Sequence, residues 1–188
     1  EKKATKADPF IYQIKVILEG GEPPIWRRIQ VTGNSSLRKL HKILQAVMGW
    51  ETRHLHEFVV GREHFGEPDP EYGFEMQDDR KTRLHEVAPR YGDRFAYVYD
   101  FGDGWRHELI VEKIALPEPG AVYPTLLGGE RAGPPEDCGG IGGYANFLDA
   151  IRDPDHPQHA ELLAWIGGSF DPEVFDVDEV NRRLKRIK

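Results

Sequence analysis

Two alternating runs of apolar residues, FAYVYD at 95–100 and WRHELIVEKI at 105–114, face each other across FGDG. That pattern holds a chain to an antiparallel hairpin, because side chains alternate between the two faces of a strand and the glycines supply the turn. Two further runs, FIYQIKVIL at 10–18 and IWRRIQV at 25–31, flank GGEPP and predict an opening hairpin. HLHEFVV at 54–60 is another strand, and a short one is expected near Tyr72 to Met76 within the polar excursion over 62–82.

Between these strands Leu37, Leu40, Leu44, Val47 and Met48 recur at helical spacing. Asn34, Ser35 and Ser36 offer N-caps and Gly49 a stop, so a helix is predicted over 36–48 with Arg38, Lys39, Lys42 and Gln45 on its wet side. The last third changes character. Tyr144, Phe147, Leu148 and Ile151 share one helical face, DPDHP breaks it, and QHAELLAWI at 158–166 is a second helix closed by Gly167 and Gly168. Asp176 and Glu179 open a terminal helix along Val177, Val180, Leu184 and Ile187.

This order is that of an α+β fold: a mixed or mostly antiparallel sheet, one helix inserted early, and a C-terminal group of helices. Hairpin, helix and later strands also suit a β-grasp-like topology. At 188 residues the chain is read as a single domain, 1–188. Its sheet-rich part is 10–116, its irregular Pro- and Gly-rich connection 117–143 and its helical part 144–188. Cys138 is the one cysteine, which excludes an intramolecular disulfide. No apolar run approaches the roughly 20 residues that span a bilayer, and EKKATKADPF lacks a signal peptide's apolar stretch, so a cytoplasmic protein without a membrane partner is expected. A net charge of −7 argues against a broad phosphate-neutralising surface. Local basic patches remain: the tail NRRLKRIK, and Arg27, Arg28, Arg38, Lys39 and Lys42 beside exposed Trp or Tyr.

The blocks MGWETRHLHEF, YVYDFGDGWRHEL, EDCGGIGGYANFLDAI and WIGGSFDPEVFDVDEVNRRL together resemble the plasmid pRiA4b ORF-3-like family, which includes transposon-passenger proteins described as TnpR-like. The likeness covers about residues 10–186, with the blocks in the family's order. It implies an α+β domain associated with plasmids and mobile elements, and no settled activity. The family's characteristic positions fall on Trp50, His54, Tyr99, Asp100, Phe101, Gly102, Asp103, Trp105 and His107, then on Asp137, Cys138, Gly139, Gly140, Gly143, Tyr144, Gly168, Phe170, Asp171 and Asn181.

A two-residue turn at Asp103 and Gly104 would set Asp100 opposite His107, the geometry that orients an imidazole for base or ligand work. A three-residue turn at 102–104 pairs Tyr99 with His107 instead. Asp100, Asp103 and His107 could then be joined by His54 or His56 around a divalent metal such as Zn, Mn or Fe, or could simply finish a turn. His54 and His56 are expected on one face of a strand, with Glu57 on the other. CGGIGG precedes a helix as phosphate loops do but lacks their Lys-Ser/Thr, so a tight loop into the helix is expected. Cys138 has no basic neighbour in sequence to activate it and reads as a structural thiol.

The first functional reading is a binding or interaction module built around 99–107 and 128–143, linked to mobile-element or nucleic-acid processes. The alternative is a metal-dependent hydrolase of phosphodiester type, with Glu57 or Asp137 as base. The partners considered are nucleic acid or another protein, the latter docking on Phe95, Tyr97 and Tyr99.

Overall fold

The computed structural model describes residues 9–69 and 75–187. In chain order it contains β1 (Ile11–Leu18), β2 (Trp26–Thr32), α1 (Leu37–Met48), β3 (His56–Val60), β4 (Glu63–Gly66), β5 (Gln77–Asp78) and α2 (Leu84–Val87). Then follow β6 (Arg94–Tyr99), β7 (Trp105–Ala115), β8 (Thr125–Glu130), α3 (Gly140–Arg152), α4 (His159–Ile166) and α5 (Val177–Leu184). The strands form one sheet in the order β5-β4-β3-β6-β7-β1-β2-β8, antiparallel except between β4 and β5. This is an α+β fold. The expected hairpin of β1 and β2, followed by α1, begins a sheet that grows well beyond those elements. Most of the short strand expected near Tyr72 lies outside the described residues; β5 begins just after it.

Period-two burial makes the sheet one-sided. Ile14, Val16, Ile29, Val31, Leu109 and Val111 are buried on the inner face, and α1 lays Leu37, Leu40, Ile43, Leu44 and Val47 into the same core. Lys15, Arg28 and Glu112 alternate onto the outer face, where the 2.6 Å Arg28–Glu112 pair is partly exposed and adds little to stability. Helix α1 ends as its sequence indicates. Ser36 Oγ accepts from Lys39 N–H at 3.1 Å, and Gly49 takes the left-handed conformation that closes the last turn.

Three expectations are corrected. Residues 117–143 are not an irregular connection throughout, since Thr125–Glu130 pair with β2 as the edge strand β8. Gln45 is not on the wet side of α1; it is buried, donating from Nε2 to Tyr97 Oη and accepting Thr52 N–H. Arg27 belongs to no surface patch. It is buried, donates to the carbonyls of Val47, Trp26, Glu130 and Arg131, and lies 3.8 Å from the centre of the Phe175 ring. Burial lowers its pKa to about 9, and its role is to tie the end of α1 to the turn after β8.

The outer edge of β8 is closed by a side chain. Asn181 on α5 accepts Leu126 N–H at 2.8 Å and donates to Leu126 O at 3.0 Å, standing where a ninth strand would pair. Asn181→Ala leaves both backbone groups without that partner and is expected to cost about 1–3 kcal/mol, read as a lower urea midpoint at unchanged slope.

Candidate metal centre

The hairpin between β6 and β7 adopts neither expected register. Tyr99 pairs with Trp105 and Tyr97 with His107, leaving residues 100–104 as a five-residue loop. Asp100 leaves the ladder through a left-handed backbone (φ 58), with its N–H donating to Leu55 O at 2.8 Å. Its Oδ1 accepts the N–H groups of Gly102 and Asp103, which braces the loop. His107 turns to the buried face and donates from Nδ1 to Tyr97 O at 3.2 Å. The proposed Asp100–His107 pair is therefore absent. Burial holds the His107 pKa down to about 4, so it is a neutral core residue.

A different imidazole meets Asp100. His54 lies in the loop before β3, not on the strand with His56, and its Nε2 stands 3.6 Å from Asp100 Oδ2 and 2.7 Å from Asp137 Oδ1. One ligand atom from each of His54, Asp100 and Asp137 lies within 4.8 Å of the other two. Asp137 (φ 61) shares with Asp100 the left-handed conformation that side chains disfavour, and such outliers gather at functional sites. An ionised carboxylate can only accept, so His54 Nε2 carries the proton between them; a divalent cation would take that proton's place.

The other predicted site residues hold the three loops together. Trp50 is buried, donates from Nε1 to Pro134 O at 2.8 Å and packs against the rings of Tyr99, Trp105 and His107. Tyr99 Oη accepts Arg53 N–H and donates to Glu136, whose other carboxylate oxygen accepts Glu51 N–H. Asp103 is a brace, accepting Gly139 N–H at 3.1 Å. A Cβ on Gly140 would lie 2.3 Å from Asp103 O, and one on Gly143 would lie 1.9 Å from Cys138 O, so CGGIGG is a close-packed seam, as the tight-loop expectation holds. Burial, with Asp103 and Asp137 nearby, pushes the Cys138 thiol up to about 12, which leaves it inert.

Glu57 cannot be a base here, because it pairs with His64 across β3 and β4. His56 lies in the core, its ring 3.5 Å from that of His41 and nearly parallel, with Nε2 2.8 Å from Asp79 Oδ2. Asp79 also accepts from Arg38 Nε at 2.9 Å. Burial alone would raise its pKa, but His56 and Arg38 hold the carboxyl below its usual range. Phe95, Tyr97 and Tyr99 are buried and offer no docking face. The sequence does not point to the His41–Tyr97–Gln45 cluster, although His41 and Gln45 sit one turn apart on the apolar side of α1. A groove of about 570 Å³, with Asp137 alone of the three on its wall, lies between the end of α1 and helices α4 and α5.

A model of the plasmid pRiA4b ORF-3-like protein family matches residues 10–179. The chain belongs to this family. It is 40% identical over 176 residues to the uncharacterized protein y4hQ of Sinorhizobium fredii, covering 93% of this chain and 90% of that one. It is also similar to the crystal structure of a protein of unknown function from Methanosarcina mazei, with TM-score 0.80 and 36% identity over 90% of this chain and 97% of that one. Neither protein similar to this pRiA4b ORF-3-like chain is named for an activity. No helix among the described residues is long and apolar enough to cross a membrane.

Proposed function

We propose that the chain is a ligand-binding module whose working centre is a divalent-cation site formed by His54, Asp100 and Asp137. The convergence of one imidazole and two carboxylates from three separate loops carries this reading. That donor set suits Zn, Mn or Fe, and three protein ligands leave coordination positions for a bound partner. The link to mobile-element or nucleic-acid processes belongs to the same reading and is supported by the plasmid origin of the family's name.

Titration calorimetry with Mn²⁺ and Zn²⁺ tests it. One equivalent is expected to bind wild type, and to bind at least tenfold more weakly after Asp137→Asn or Asp100→Asn. No binding by wild type removes the centre.

A metal-dependent hydrolase of phosphodiester type is the second reading, favoured by those open positions beside a wide groove. It predicts that bis(4-nitrophenyl) phosphate is hydrolysed with Mn²⁺ faster than by free metal. No excess turnover removes the hydrolase and leaves the binding module.

A further inference from the structure

His54 also lines a cavity with basic walls, and that surface indicates what reaches the cation. This cavity, about 420 Å³, is walled by Arg38, His41, Arg53, His54, His56 and Glu67 together with Thr52 and Leu55. A second cavity of about 290 Å³ adjoins it through Arg38, which lines both. Lys39, Lys42 and Arg83 complete its charged wall, the rest being hydroxyl and amide groups between Thr32 and Ser36, and no carboxylate lines it.

Part of this charge is unpaired. Arg38 is neutralised by Asp79 and Glu67, and Arg53 is paired with Glu51, but Lys39 and Lys42 make no ion pair among the described residues. Among the described residues the Arg83 guanidinium gives one N–H, to Asn34 O at 3.3 Å, while its backbone N–H goes to Glu86 Oε2. Arg38 and Lys39 moreover occupy the first turn of α1, which holds no acidic residue. Cations at a helix start oppose the macrodipole and cost stability unless an anion lies over them. In a chain of net charge −7 this is a concentrated exception. The groove beside Asp137 has a mixed wall, with Glu51, Glu136, Asp137, Asp176 and Glu179 against Arg27, Arg53 and Arg183, so its carboxylates outnumber its cations.

We propose that the two cavities form one track for a single-stranded nucleic acid, whose phosphates lie on Lys39, Lys42 and Arg83 and which passes Arg38 to reach the cation at His54. For its end point the track rests on the metal-centre reading. The cavities are too small to admit a duplex, whereas a single strand can follow a cation-lined groove.

The test is fluorescence anisotropy of a fluorescein-labelled dT 12-mer at 50 mM salt in EDTA, which needs no metal. Wild type is expected to bind, with affinity falling as salt to the power of about −2 for three phosphates. Lys39→Glu with Lys42→Glu is expected to weaken binding at least tenfold while raising the thermal midpoint, so that unfolding does not explain the loss. Added Mn²⁺ is expected to tighten binding in wild type and not in Asp137→Asn. Absence of dT binding, an undiminished double variant, or a blunt duplex bound as tightly overturns the track. Binding in EDTA with no response to Mn²⁺ keeps the track on the lysines and overturns its end point at the metal centre.

Discussion

Between pH 6.5 and pH 4 the protein is expected to lose stability at about 3 kcal/mol per pH unit, unfolding in acid well before its carboxylates are fully protonated. Two buried imidazoles set this slope. Burial, with His56 and Arg38 adding to it, lowers the His41 pKa to about 2, and burial lowers that of His107 to about 4. In the unfolded chain both titrate near 6.5. Above that value both states hold neutral imidazoles and the two residues contribute no pH dependence. Below it the unfolded state binds two protons that the folded state refuses, so stability falls with pH by about 1.4 kcal/mol per unit for each residue. The loss runs down to about pH 4 for His107 and continues toward pH 2 for His41. Asp79 adds a second loss lower down: its depressed folded pKa gives stability that is present above the usual carboxylate pKa and disappears as pH falls through the folded value. For a total at the lower end of the usual range of about 5–15 kcal/mol, the His terms alone place the acid midpoint near pH 4–5. Urea unfolding at pH 7.5, 6.0 and 5.0 measures the slope, and His107→Phe is expected to halve it. Equal stability at pH 7.5 and 5.0 would contradict neutral buried imidazoles.

The strands and helices with clean periodicity were legible because one-sided burial writes itself into the sequence. Ile14, Val16, Ile29 and Val31 alternate, and Leu37, Leu40 and Leu44 step by helical turns. β8 was hidden because Thr125–Glu130 contains two glycines, and its pairing is stabilised by Asn181, more than fifty residues away. At the candidate site the sequence put His54 and Asp100 with Asp103 and His107, whereas in the structure they meet Asp137. Hairpin register depends on loop length, and the loop here is set by Asp100 turning left-handed to reach Leu55 O, a contact no local pattern encodes. With two residues more than the longer expected turn, the loop pairs His107 with Tyr97 and leaves Asp100 to His54 and Asp137.

Two glycines two residues apart are expected to respond to the same substitution with opposite signs. Gly140→Ala meets two penalties: its φ of 69 is disfavoured for any L side chain, and its Cβ would sit 2.3 Å from the carbonyl oxygen of Asp103, a backbone atom fixed in the 100–104 loop. Left-handed strain of about 1–2 kcal/mol and overpacking of about 1–3 kcal/mol together predict a loss of about 4 kcal/mol, or roughly 12 °C in Tm for a chain this size. Gly142→Ala meets nothing within 4 Å and lies in α3, where replacing glycine is expected to add up to about 1 kcal/mol. Because the seam holds Asp103 to Gly139 and sets Asp137 beside His54, Gly140→Ala is also expected to weaken Mn²⁺ binding at temperatures where it remains folded, while Gly142→Ala does not. Thermal melts and calorimetry on the two variants separate the cases. Equal Tm values would mean that the 138–140 loop is free to move off the hairpin tip, and the metal centre would lose the wall that carries Asp137.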